Sequence, residues 1–178
     1  HDALPISEAK LVLGKAYKGT LNGMRTVAHT FSNDLIKALT GKKGMFTTRI
    51  VASRVDRLKG PNDKAQEKEI YLMDWDGNNP QKISSHQSVA ISPAWSTKGD
   101  KIAYTAFAYH KAQKVRNPDL FVYQIRDGKR FLVSYRKGIN SGAAFLQGDN
   151  QLLLTLSQEG SPDIFKMNVD GTGLTQIT

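Results

Sequence analysis

Apolar residues along most of this chain come in short runs, cut by Gly-containing turns. Three stretches repeat that grammar: EIYLMDWDGNNPQKIS (69–84), DLFVYQIRDGKRFLVS (119–134) and DIFKMNVDGTGLTQIT (163–178). Each has an acidic residue, an apolar run, a turn with Gly and a short run ending in Ile or Val and Ser or Thr. Asp-Gly between β-rich runs is hairpin chemistry, because Gly meets the positive-φ demand of a tight turn without strain. A second pair matches as well, AISPAWSTKGDKIAYTAF (90–107) with NSGAAFLQGDNQLLLTLS (140–157), again two runs around a Gly turn. The unit is therefore two consecutive hairpins, or four antiparallel strands, recurring at the spacing of a β-propeller blade. Ile70, Tyr71, Leu72 and Met73 are consecutive apolar residues, as expected of strands covered on both faces by neighbouring blades.

The spacing predicts blades over 48–84, 88–134 and 140–178, the first lacking its innermost strand. An incomplete ring would leave open sheet faces. Antiparallel connectivity brings segments 85–91 and 135–141 to one end of the disc, together with 56–68 and 109–118. The inserts DRLKGPNDKAQEK and YHKAQKVRNP make that end locally basic.

Residues 10–47 follow another rhythm. LVLGKAY reads as a strand. From Met24 the apolar positions Met24, Val27, Ala28, Phe31, Leu35, Ala38 and Leu39 recur at three and four, which predicts a helix ending at Gly41 with Asn22 as its N-cap. The fold class expected is thus mixed: the strand-helix end of an α/β domain (10–47), then an incomplete β-propeller (48–178) whose parent has six blades. Residues 1–9 are expected to be linker or foreign. The chain begins at His1, and His1–Ile6 is what one frame of a common sequencing adapter would encode.

Composition narrows the function. The chain of 178 residues has no cysteine, which removes disulfide frameworks and Cys-ligated metals. No apolar run reaches the roughly 18 residues of a membrane-spanning helix. The net charge of +9 divides as +7 over residues 1–68 and +2 over 69–178. Basic residues sit in loops while aromatics sit in strands, so the interleaved surface that nucleic acid requires is not expected. An acidic protein partner or a polyanionic envelope surface accounts for the same charge.

Catalytic and metal motifs are weak. His29, His86 and His110 lack a paired ligand at metal spacing. Asp74-x-Asp76-Gly77-Asn78 and Asn168-x-Asp170-Gly171 lack the ladder and terminal Glu of a calcium loop, and hairpin turns explain them better. No phosphate-binding Gly motif and no G-x-S-x-G nucleophile elbow occurs. Trp95 and Phe145 occupy the same repeat position, where packing between blades is the default. Trp75, before a hairpin turn, is read against a partly exposed contact role, and Lys42–Lys43 as a solvated turn in preference to an anion site.

LGKAYKGTLNGMRTVAHTFSNDLIKALTGKKG, MFTTRIVASRV and SPAWSTKGDKIAY together resemble the TolB family of periplasmic propeller proteins of the Tol-Pal system, over about Leu11 to Thr178. The family's Ser-Pro-Asp-Gly turn stands here as Ser96-Thr97-Lys98-Gly99 and as Leu146-Gln147-Gly148-Asp149. The resemblance implies a non-enzymatic protein with no cofactor, in the periplasm, its signal peptide upstream of this stretch. It implies binding of the peptidoglycan-associated lipoprotein Pal on one propeller face, and of TolA through a mature N-terminal segment absent from this sequence. It also implies a part in outer-membrane integrity and constriction at division. By resemblance the Pal face maps to Ile91, Ser92, Pro93, Ile139, Asn140, Ser141 and Gly142. Asn140 and Gly142 are read as loop residues, so that Asn140→Asp with Gly142→Arg would weaken binding and spare the fold. The competing reading is the propeller of a serine peptidase of the prolyl-oligopeptidase kind, with its catalytic domain outside this stretch.

Overall fold

A computed structural model describes residues 11–58, 66–112, 114–158 and 160–178. The expectations for residues 1–9 and for most of the 56–68 insert fall outside them. Contacts gather into two units, one made of residues up to Ile50 with Asp74–Asn79, the other of Val51–Met73 with Pro80–Thr178.

The first unit is built on helix α1, Met24–Thr40, preceded by a 3-10 turn over Leu21–Gly23. The helix stops as expected: Gly41 adopts φ 72° and its N–H returns to the Lys37 carbonyl. The start differs, because Asn22 falls inside the 3-10 turn and Gly23 occupies the N-cap with no side-chain cap. Leu11–Tyr17 forms no strand. A strand exists only through a neighbour's backbone, and no ladder partner for it is found among the described residues. Tyr17 instead lies edge-on to Phe31 and donates to Asp34 at 2.7 Å, and Lys15 reaches the same carboxylate at 2.5 Å. Beyond Gly41 the chain turns back on the helix. Asn33 accepts from the Phe46 N–H and donates to Thr47, and a Cβ on Gly44 would stand 2.9 Å from the Asn33 Cα. The Gly-Lys-Lys-Gly pattern thus combines one glycine needed for φ and one needed for space.

Arg25 ties α1 to the Asp74–Asn79 turn. It donates to Asp74 at 2.9 Å and forks onto both oxygens of Asp76. Trp75 packs edge-on against Phe46 and His29, and its Nε1–H donates to His29 Nε2 at 3.4 Å. The Asp74/Asp76 pair that faintly suggested a calcium loop is therefore an arginine site. The bonds from Arg25 hold Asp76 down to about 2 and also lower Asp74, while Lys15 and Tyr17 lower Asp34. Groups whose folded pKa is depressed contribute stability above the unfolded value of about 4 and lose it as pH falls through the folded value. This unit should therefore lose stability between about pH 4 and pH 2, and Arg25→Gln should lower its stability at neutral pH and flatten that slope. Circular dichroism at 222 nm against pH and urea checks it; an unchanged slope would contradict the assignment.

The second unit holds three antiparallel sheets. The first has β1 (Arg49–Leu58), β2 (Gln66–Asp74) and β3 (Gln81–Lys82). The second has β4 (Ala90–Trp95), β5 (Lys101–His110), β6 (Val115–Gln124) and β7 (Arg130–Ser134). The third has β8 (Asn140–Phe145), β9 (Gln151–Leu156), β10 (Asp163–Asn168) and β11 (Thr175–Gln176). Sheet order follows chain order in each, the meander of a propeller blade, so the expected fold class holds, with a helix before the propeller.

Sheets stack face to face through two apolar layers. Ile70, Leu72 and Ile83 meet Ala90, Ile102, Tyr104 and Ala106, while Ala103, Leu120, Val122 and Val133 meet Leu152, Leu154, Leu156, Phe165 and Met167. Ile102–Ala106 of β5 is buried without a break because both faces are covered. In β9 burial alternates, Leu152, Leu154 and Leu156 in and the residues between them half out, because one face is covered. Tyr71 and Met73 are half-exposed on the uncovered face of the first sheet.

Aspartate stands where the repeat has glycine at Asp149, with φ 60° against 71° at Gly99. Its buried carboxylate accepts from the Thr97 N–H and hydroxyl and the Lys98 N–H of the preceding blade. Burial pushes its pKa up, but those bonds outweigh it and the carboxyl titrates below its ordinary value. The departure from the usual turn is thus a joint between blades.

Candidate partner-binding site

Register places the first residues of β4 and β8 at one end of their sheets, beside Ala106 and Asp119 in the second and beside Leu156 and Asp163 in the third: Ala90 pairs with Ala106 and Ala106 with Asp119, while Asn140 pairs with Leu156 and Leu156 with Asp163. All seven residues assigned by resemblance lie in or next to the first strand of a sheet at this end. The register slips between Ile91 and Ala94 and again between Ser141 and Ala144, so both strands carry a bulge at the same repeat position. Ser92 at φ 53° and Gly142 at φ 67° are the bulged, exposed residues, and Pro93, in the same bulge, is half-buried. Ile139 is 40 % exposed, its backbone held by the Ser157 hydroxyl at 2.8 Å and the Ser157 N–H at 3.2 Å. Ile91 and Ser141 are half-buried.

Asn140 is not a contact residue. It is fully buried in β8, and so is no loop residue. Its Oδ1 accepts from the Ser134 hydroxyl at 2.6 Å and the Arg136 N–H at 3.0 Å, and its Nδ2 donates to the carbonyls of Pro118, Arg136 and Gly138 at 3.1, 2.6 and 3.1 Å. One amide thereby fixes the whole crossover from β7 to β8. Gly142 is likewise within β8, and its left-handed φ makes any larger residue strained. The double change expected to weaken binding and spare the fold would therefore damage the scaffold.

The acidic residues that open the first two repeats do related work. Glu69 is buried, accepts the His86 and Gln87 N–H groups at 2.7 and 2.8 Å, and takes the Ser84 hydroxyl; Ser84 in turn accepts the Ile70 N–H. Asp119, also fully buried, bonds His110 Nε2 and Asn117 Nδ2, both at 2.6 Å. Thr178 accepts the Ile164 N–H as Ser84 accepts that of Ile70, so the closing hydroxyl serves the same backbone group in the first and third repeats, while Ser134 in the second donates to Asn140 instead. The sequence displayed these residues as repeat markers; that Glu69 holds the turn at His86 and Gln87 while Asp119 anchors the β5–β6 hairpin was not legible, because their partners are loop N–H groups and side chains that meet them only after folding. His86 packs on Phe121 and reaches the Tyr104 hydroxyl at 3.0 Å, and burial pushes its pKa down.

The end is thus a stiff, hydrogen-bonded base with two exposed bulges and an exposed isoleucine, arranged to present shape rather than chemistry. No group of three or more His, Asp or Glu suited to a metal ion occurs among the described residues, and no described helix is long and apolar enough to cross a membrane.

Comparison with known proteins agrees with this geometry. A family model described as "TolB beta propeller domain" matches residues 36–178. A Tol-Pal system protein TolB of Desulfosudis oleivorans is 32% identical over 173 residues, 97% of this chain and 36% of its own length. A TolB homolog of Chlorobaculum tepidum is 32% identical over 172 residues with the same coverage. The crystal structure of TolB from Acinetobacter baumannii superposes with a TM-score of 0.77 at 27% identity, over 94% of this chain and 39% of that one. The propeller domain of the Trilobed protease from Pyrococcus furiosus aligns at 14% identity with a TM-score of 0.50, which bears on the fold alone. The chain spans about a third of the length of the curated relatives it matches. Blades of this register and a family match over most of its length place the chain in the TolB β-propeller family.

Proposed function

We propose that this chain belongs to a periplasmic, non-enzymatic component of the Tol-Pal system, and that the end carrying Ile91–Pro93 and Ile139–Gly142 binds the peptidoglycan-associated lipoprotein Pal. In that role the protein supports outer-membrane integrity and constriction at division, with TolA as a further partner of the intact protein. The observation that carries the reading is the pair of bulges at equivalent places in β4 and β8, which turn Ser92 and Gly142 outward beside Ile139 on a base held rigid by Asn140. Rigid presentation lowers the ordering cost of association, which suits a surface built for a folded protein partner. The peptidase reading has only fold-level likeness behind it.

Ile139→Glu tests the reading in the protein expressed from its complete reading frame. A carboxylate there would have to be desolvated in the complex, and we expect the affinity for the soluble domain of Pal to fall about tenfold or more, equivalent to about 1.4 kcal/mol per decade. The melting temperature should hardly move, since the side chain is already half in water. Calorimetric titration reads the affinity and a calorimetric thermal scan the melting temperature, and an unchanged affinity would contradict the site.

A further inference from the structure

The second sheet differs from the third in one respect that the repeat does not require. In the third, β9 and β10 stop pairing at Leu156 with Asp163; in the second, the equivalent pair is Ala106 with Asp119, and four further pairs follow, ending at His110 with Val115. At about 3.3 Å per residue the β5–β6 hairpin therefore runs about 13 Å past the end of its sheet. It carries Lys111, Lys114 and Arg116, all exposed, with Tyr109 54% exposed and the Arg116 guanidinium 5.9 Å from its ring centre. Its root is fixed to the β7–β8 crossover, since Asn117 donates to the Arg136 carbonyl at 3.0 Å and buried Asp119 holds His110. The crossover adds Arg136, exposed Lys137 and Tyr135, which is 65% exposed.

Residues 107–118 and 135–139 contain five Lys or Arg and no Asp or Glu. None of the five makes an ion pair among the described residues: Arg116 spends its hydrogen bond on the Phe107 carbonyl and Arg136 on the Ser134 hydroxyl. Unpaired cations on a short, anchored arm and on the crossover at its root, with one exposed tyrosine on each, raise the potential at one spot while leaving amphipathic surface to close on a partner.

We propose that the β5–β6 arm and the β7–β8 crossover form a cationic clamp for an acidic face of a folded protein, steering it onto the bulged strands beside it. This rests on the Pal reading for the identity of the natural partner and not for the chemistry of the clamp. A protein face is favoured over a lipid surface because Tyr109, Tyr135, Val115 and Ile139 are exposed between the charges, the mixture that protein interfaces use.

The test uses the protein from its complete reading frame and the variant Lys111→Gln/Lys114→Gln/Arg116→Gln. The probes are a fluorescent Glu- and Leu-rich peptide, vesicles with anionic phosphatidylglycerol, and the soluble domain of Pal. Measurements run at about 10 mM and about 150 mM salt, where the Debye length falls from about 30 Å to about 8 Å. We expect the wild type to bind the peptide at low salt and the variant to bind it about tenfold or more weakly. For Pal we expect slower association by a similar factor at low salt, with dissociation changed less than about twofold. Equal peptide binding by wild type and variant, or loss of vesicle binding alone, would overturn the clamp. A wild type that binds the peptide but not Pal would overturn the Pal reading and leave the clamp standing. A variant that associates with Pal at the wild-type rate at low salt would overturn the clamp and leave the Pal reading.

Discussion

Asn140→Asp should cost about 3 kcal/mol of stability at neutral pH, although it changes one atom of the side chain. The native amide donates to three carbonyls and accepts from a hydroxyl and a backbone N–H, in a site with no exposure. A carboxylate keeps the two acceptor bonds, loses all three donor bonds, and sets a negative charge against the oxygens of Pro118, Arg136 and Gly138. The Arg136 guanidinium, already on Ser134 at 2.9 Å, offsets part of this. Because the penalty belongs to the ionised form, it should shrink as pH falls through the carboxyl range. Urea unfolding at two pH values measures it. A loss below about 0.5 kcal/mol at neutral pH would mean that the crossover is held by something other than this amide.

Leu154→Ala should cost a comparable amount, about 2–5 kcal/mol. Leu154 is 1% exposed on the covered face of β9, in the layer shared with Leu120, Val122 and Val133 of the preceding blade. Truncation removes three carbons from a layer formed by two stiff sheets that cannot easily close the gap. The expected signature is a lower urea midpoint for the third sheet, read by hydrogen exchange, with the Ile70–Ala106 layer affected less. A uniform effect on both layers would show that the blades do not behave as separable neighbours.

These two positions differ in how far the sequence announced them. Leu154 lies in a run of leucines between a Gly turn and a Ser, and the repeat placed it in a strand. The blades were legible because turns such as Asp76-Gly77 and Asp127-Gly128 carry their own backbone preference, and the repeat confirmed their spacing. The helix was legible to its last residue because Gly41 supplies a left-handed stop. Leu11–Tyr17 looked like a strand from its composition alone, and a strand needs a partner that composition does not supply. Asn140 was legible as a position in the repeat and not as a hub, since three carbonyls from two separate stretches of chain meet on it only after folding. Asp149 looked like a degenerate turn, and its function appeared only when the neighbouring blade's Thr97 and Lys98 came into view. Of the candidate site, the grouping of Ser92, Ile139 and Gly142 at one end of their sheets was legible from the antiparallel connectivity, while buried Asn140 was read as part of the surface.

The central claim is that this end of the blades, built on bulged β4 and β8, receives Pal. Hydrogen–deuterium exchange of the protein from its complete reading frame, with and without the soluble domain of Pal, tests it most directly. The account predicts added protection in 88–93 and 135–143, with none in the β6–β7 turn at 125–129 on the opposite end of the same sheet. Protection confined to 125–129, or no protection at either end at saturating Pal, would contradict it.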